Sequence, residues 1–217
     1  MAGVLAARAW LAAHPQHNPW APLDLGDPPG WATSSKLVSL KEDAELCRTV
    51  LTNSEIEFRL LPPAGDGECL REDRLQLTQF PLQPQEPVAT CAVAAGMEYW
   101  RRHSLDPVAQ ELFGTGVEEI MHLGTFSCRR LYGRSDGAFS EHATGNAIDI
   151  SGFRLEDGTV ISVLNDWEDP AAKGAFLRQV RDGACSAFAT VLSPDYNAAH
   201  ADHFHFDQAS RWGSFCR

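Results

Sequence analysis

The chain has 217 residues, 44% hydrophobic and 22% charged, with a formal net charge of −11. That length allows one catalytic-size core with a modest N-terminal extension, and the composition excludes fibrous and disordered classes. The acidic balance, with no basic run longer than two residues, argues against nonspecific binding to nucleic acid or anionic lipid, which need a basic field to release counterions.

Met1 to Ala13 is mostly apolar but is interrupted by Arg8 and ended by His14-Pro15. It falls well short of the roughly 20 apolar residues of a membrane span. It reads as the remnant of an export signal or anchor, with an exposed short helix as the alternative. Pro15 to Thr33 is rich in Pro, Gly, Trp and Asp without a hydrophobic period, which predicts an extended linker. A folded unit begins near Lys36, with a helix over Glu42 to Leu51 and a strand over Glu57 to Leu61. Arg74 to Thr78 alternates like a strand, and Pro81 to Pro87 reads as a proline-rich connector. These breaks divide the chain into an N-terminal segment (1–35), a small α/β extension (36–86) and a main domain (87–217).

In the main domain, Val88 to Arg102 has helical spacing. A second helix is expected from Asp106 to Phe113, with Pro107 in its first turn and Gly114-Thr115-Gly116 as its stop. Val117 to Phe126, Ala147 to Leu155 and Thr159 to Leu164 read as strands, the last two joined by an Asp157-Gly158 turn. Ala171 to Phe188 reads as a helix, and His203 to Asp207 as the final strand. Helices early and hairpin-linked strands later predict an α+β class with a central antiparallel sheet and helices on one side.

The six cysteines, Cys47, Cys69, Cys91, Cys128, Cys185 and Cys216, contain no Cys-x-x-Cys pair, which excludes a zinc ribbon and a thioredoxin-type motif. Their even, dispersed set points to disulfides and an oxidising compartment, with buried free thiols as the alternative. Sequence does not choose among the 15 pairings, although Cys47 and Cys69 bracket the small N-terminal unit and are placed to staple it. A thiol nucleophile has little support, because none of the six has a neighbouring base.

The chemistry concentrates in two segments. In Ser140 to Asp149, an imidazole (His142) and a carboxylate (Asp149) flank Gly145. Their odd spacing would place them on opposite faces of a straight strand, so the chain must turn between them to bring both to one metal. In Ala201 to Asp207, strand alternation puts His203, His205 and Asp207 on one face and Phe204 and Phe206 in the core. Two histidines and a carboxylate suit catalytic zinc, which takes three protein ligands and leaves a fourth position for a water whose pKa falls towards about 7. Ser140 reads as a turn residue, since no G-x-S-x-G elbow surrounds it. His122 and His200 have no ligand spacing and read as ordinary.

Ser140, His142, Gly145, Ala147 and Asp149 match the pattern S-x-H-x-x-G-x-A-x-D, and His203-x-His205 matches an H-x-H pair. These motifs resemble the lysostaphin-type, D-Ala-D-Ala and hedgehog-like zinc metallopeptidases. The stretch from Cys91 through Gly124-Thr125-Phe126-Ser127-Cys128-Arg129-Arg130 to Cys216-Arg217 resembles the bacterial extensin-like C-terminal domain.

The resemblance implies a D-Ala-D-Ala carboxypeptidase/hedgehog-like fold and Zn2+ held by His142, Asp149 and His205. It also implies His203 beside the metal water and Asp202 as a weak general-base candidate, because a regular strand turns Asp202 away from His205. Arg129, with Arg134 as competitor, would hold a substrate carboxylate or oxyanion. The implied activity is peptidoglycan-peptide hydrolysis in the periplasm or cell envelope, with an anchor preceding this chain. A non-catalytic wall-binding domain retaining the fold is the alternative.

Overall fold

The computed structural model describes residues 2–85, 87–209 and 214–217. Met1 and Glu86, the latter closing the expected extension, lie outside the described residues. An apolar helix, α1 (Ala2–Ala13), opens the chain. The expected linker then holds a turn at Pro15–His17 before α2 (Thr33–Ser39) and α3 (Ala44–Asn53). Asp43 caps α3 by accepting from Leu46 N at 2.9 Å, which satisfies one of the amides a helix start leaves free. Strands β1 (Phe58–Leu60) and β2 (Leu75–Leu77) pair antiparallel. The proline-rich connector contains a short strand, β3 (Leu82–Gln83).

Helix α4 (Cys91–Trp100) starts at its Thr90 cap, and a π-type turn at Arg101–Leu105 carries it into α5 (Asp106–Phe113). The two expected helices are thus one continuous rod. There follow β4 (Val117–Gly124), β5 (Ala147–Leu155), β6 (Val160–Ser162), α6 (Val163–Asp166), α7 (Ala172–Ala184), β7 (Thr190–Leu192), β8 (Phe204–Asp207) and β9 (Phe215–Cys216).

The larger sheet runs β3-β4-β5-β8-β7-β9, with β6 also paired to β5. Most pairs are antiparallel, as expected, but β3 with β4 and β7 with β9 are parallel. The fold is therefore α+β with a mixed, open sheet. The expectation of an antiparallel sheet missed strands of two or three residues, too short to carry a period.

One continuous core fills the space between helices and sheet. Trp100 of α4 lies 6.0 Å from Phe153 of β5 and 5.3 Å from Phe206 of β8, ring to ring, and Phe176 of α7 lies 5.2 Å from Phe153. All four rings are fully buried, each contributing about 1.5–3 kcal/mol of transfer free energy. Ile148, Ile150 and Phe153 of β5 all point inward because a bulge near Ser151 shifts the pairing with β4 between Ile150 and Gly152. Helix α4 packs closely at Gly96 against the segments flanking the sheet, where an added Cβ would lie 2.8 Å from Gln208 Nε2 and 3.1 Å from Ala187 O.

Leu37, Leu51, Leu75 and Leu77 belong to the same core. The disulfides reinforce this union: Cys47 pairs with Cys91, Cys69 with Cys128 and Cys185 with Cys216. Cys47 and Cys69 thus tie the N-terminal unit to the main domain, correcting the expectation that they staple that unit by itself. With every cysteine paired, neither free thiols nor a thiol nucleophile remains.

Candidate metal centre

Two chain segments meet on the sheet face opposite the core. Ser140 begins a short 3-10 turn, Glu141–Thr144, and its Oγ accepts from His142 N at 3.3 Å, the turn role expected of it. Gly145 then takes a φ of +73°, a left-handed step that costs glycine little and a β-carbon-bearing residue more. This reverses the chain so that His142, on the turn, faces Asp149, on β5. Ser127 N donates to His142 O at 3.0 Å, and Thr90 N to Gly145 O at 3.0 Å, pinning the turn to its neighbours. Asn146 adds a further tie by donating to the Glu141 carboxylate at 2.6 Å.

Strand β8 supplies the other half. Its alternation buries Phe204 and Phe206 in the core and turns His205 and Asp207 the other way, and its register sets His205 opposite Asp149.

Three donor atoms converge. His142 Nε2 lies 3.1 Å from Asp149 Oδ1 and 3.1 Å from His205 Nδ1, and His205 Nδ1 lies 2.9 Å from Asp149 Oδ1. The other ring nitrogens are committed elsewhere: His142 Nδ1 to Thr125 O at 3.2 Å, and His205 Nε2 to Asp207 Oδ2 at 2.9 Å. A carbonyl and a carboxylate only accept, so those nitrogens carry hydrogens, and in neutral rings the two converging nitrogens present lone pairs. Two lone pairs and a carboxylate oxygen in contact repel one another unless a cation or proton lies among them. The trio can therefore hold a metal ion. Its sides are close to the roughly 3.3 Å edges of a tetrahedron with 2.0–2.1 Å bonds, the geometry of zinc bound by nitrogen and oxygen.

The electrostatics agree. Burial opposes charge on Asp149, but hydrogen bonds from the two imidazoles outweigh it and hold the carboxyl well below the usual carboxylate range. Burial likewise opposes charge on His205, yet Asp149 and Asp207 prevail and push its ring up to about 9. Both shifts favour positive charge at the centre.

His203 stands beside the trio. Its Nδ1 donates to Asp202 Oδ1 at 2.7 Å, leaving Nε2 3.7 Å from Asp149 Oδ1. The Asp202 side chain is 56% exposed, so Asp202 reaches the centre through His203 rather than directly.

Arg129 lines the cavity above the centre, whereas Arg134 is absent from its walls. Cys128, bonded to Cys69, anchors the backbone next to Arg129. His122 donates from Nε2 to Pro84 O at 2.7 Å and does not line the cavity.

His200 was missed. Asn197 Oδ1 accepts from Ala199 N at 3.0 Å and also lies 2.8 Å from His200 Nδ1, so that nitrogen carries the hydrogen. The ring sits 5.3 Å from His203 and 6.1 Å from His205. Burial, aided by the positive potential of those neighbours, lowers its pKa to about 4. It is a neutral imidazole whose Nε2 is an acceptor. Its only sequence signal is Asn197-x-x-His200, a side-chain-capped turn.

The cavity measures about 480 Å³ and is walled by Tyr132, Phe139, Tyr196 and Phe215 as well as by the polar centre. Tyr132 takes a φ of +55°, rare outside glycine, and its hydroxyl lies 3.5 Å from that of Tyr196.

Fold and site together define a disulfide-linked α+β protein with an open His/Asp/His cluster at the base of an aromatic-walled cavity. The chain belongs to the extensin-like family: the model for the extensin-like protein C-terminus matches residues 45–217, a span that holds every residue of the centre. No curated protein and no solved structure matches it.

Proposed function

We propose that the chain is a zinc-dependent peptidase of the cell envelope. On this reading it hydrolyses amide bonds of peptidoglycan peptides on a D-Ala-D-Ala carboxypeptidase/hedgehog-like scaffold. The observation that carries this reading is the convergence of His142 Nε2, Asp149 Oδ1 and His205 Nδ1 at the base of an open cavity. Zinc bound there supplies a Lewis acid and a water with a pKa near 7.

The chain's own residues do the rest. Asp207 holds His205 in the tautomer that presents Nδ1, and Thr125 O does the same for His142 Nε2. His203, oriented by Asp202, offers Nε2 as the proton acceptor on the cavity side and returns the proton to the leaving amine. Arg129 takes a substrate carboxylate or the developing oxyanion. The neutral His200 accepts a hydrogen bond from a substrate N–H, and the aromatic walls exclude water around the bond. Three disulfides support an oxidising compartment such as the periplasm. Among the described residues no helix is long and apolar enough to cross a membrane.

The test is elemental analysis of the purified protein beside a His142→Ala variant, followed by digestion of purified peptidoglycan. One zinc per chain, lost in the variant, with zinc-dependent release of peptide fragments, is the expected result. Zinc without fragments would leave a wall-binding domain, and no zinc in either protein would end the metal reading.

A further inference from the structure

Helix α1 is apolar throughout except for Arg8, yet the described residues do not cover it. Of the side chains from Gly3 to Ala13, only Leu11 is even half-buried, and Val4 and Leu5 are 65% and 67% exposed. A helix packed on a core buries one stripe, and a helix apolar on every side is one that its surroundings cover on every side.

The base of the helix carries an aromatic collar. Trp10 stacks on His14 at 4.4 Å and on His17 at 5.3 Å and lies 5.8 Å from Trp31. This fixes the direction in which α1 leaves the body. Trp31 and Trp20 are 72% and 84% exposed. Tryptophan, with an apolar ring and one N–H, favours the boundary between acyl chains and headgroups.

Charge agrees with this arrangement. Residues 1–23 contain Arg8 and no acidic residue, so the formal charge of −11 for the chain becomes −11 − 1 = −12 for residues 24–217. Nothing on α1 requires a carboxylate to be desolvated, and Arg8 can extend its guanidinium to the headgroups.

We infer that α1 inserts into a lipid bilayer, with Trp10, Trp20 and Trp31 at headgroup level, and holds the folded body against the membrane surface. A second copy of the chain would cover only one face of the helix, whereas acyl chains cover all of it. Insertion rather than charge drives the docking, which reconciles it with the acidic body. This inference is independent of the chemistry proposed for the metal centre.

Vesicle flotation tests it with the full chain. The protein should float with phosphatidylcholine vesicles and with phosphatidylcholine/phosphatidylglycerol vesicles, with a blue shift of tryptophan emission. Val4→Asp with Leu5→Asp should lower the bound fraction at least tenfold, and Trp20→Ala with Trp31→Ala severalfold, with circular dichroism and melting unchanged. The inference is overturned if the chain floats with neither vesicle or with the anionic one alone, or if the double aspartate variant floats like the parent. A vesicle-independent dimer that this variant dissociates would also overturn it, by assigning the helix to a second copy.

Discussion

His205 donates its Nε2 hydrogen to Asp207 Oδ2 across 2.9 Å, and Asp207 is only 5% exposed. This pair fixes which nitrogen of His205 faces the centre. Carboxylate partners of this kind raise ligand basicity, and their loss costs about 10–100-fold in metal affinity. Asp207→Asn should therefore weaken zinc binding by about that factor in chelator competition, with one metal still bound at saturation. Unchanged affinity would remove Asp207 from the site.

On the proposed peptidase reading, His203 and Asp202 distinguish binding from turnover. His203→Gln should keep the zinc stoichiometry and lower kcat for peptide release by about 10²–10⁴-fold, the range of a lost general acid-base group. Asp202→Asn removes only the charged partner of the ring, so a loss of about tenfold, equivalent to about 1.4 kcal/mol, is expected. An equal loss in both variants would make Asp202 the proton acceptor itself.

The Cys69–Cys128 bond spans 59 residues and holds the segment leading to Arg129. By the chain-entropy account, closing such a loop contributes about 4 kcal/mol. Replacing both cysteines by serine should lower Tm clearly in calorimetry and raise KM more than it lowers kcat. A purely structural staple would lower Tm and leave KM as it was.

Gly96 packs against Ala187 and Gln208, just outside the strands β7 and β8. Gly96→Ala should destabilise the fold by about 1–3 kcal/mol through overpacking against Ala187 O and Gln208, although alanine is the better helix former. Denaturant melts would measure it, and a neutral or stabilised variant would show that Gln208 yields.

Burial holds the His122 imidazole below its ordinary pKa, outweighing the hydrogen bond to Pro84 O. The folded state thus binds fewer protons than the unfolded chain from about pH 6.5 downward. The stability contributed by the neutral ring is present above that pH and is lost as pH falls, by at most about 1.4 kcal/mol per pH unit. His122→Gln keeps a donor for Pro84 O, so its stability should fall less than the parent's between pH 7.5 and 5. Parallel pH curves would show that His122 does not report on folding.

The facing of His142 and Asp149 around a glycine, and a histidine-bearing alternating strand, were legible from spacing and chemistry, whereas the choice of His205 over His203 as third member of the trio came from the family resemblance. The longer elements were legible from their periods, and β8 from its histidine and phenylalanine alternation. Strands β3, β7 and β9 were not, because two or three residues carry no period and tertiary pairing defines them. The π-type turn joining α4 to α5 has no sequence signature that separates it from a helix end. The cysteine partners depend on which loops the core brings together. His200 was passed over because its position is set by a one-turn capped loop rather than by strand spacing.

Strand β8 serves two masters with one alternating code. Its even-numbered residues, Phe204 and Phe206, are core, and its odd-numbered residues, His205 and Asp207, belong to the centre. Inserting or deleting a single residue before Phe204 without a compensating bulge would send imidazole and carboxylate into the core and benzyl groups into the cavity. A lineage therefore cannot slide this strand to retune the centre while keeping its fold. Change at this site must come by side-chain replacement, one position at a time.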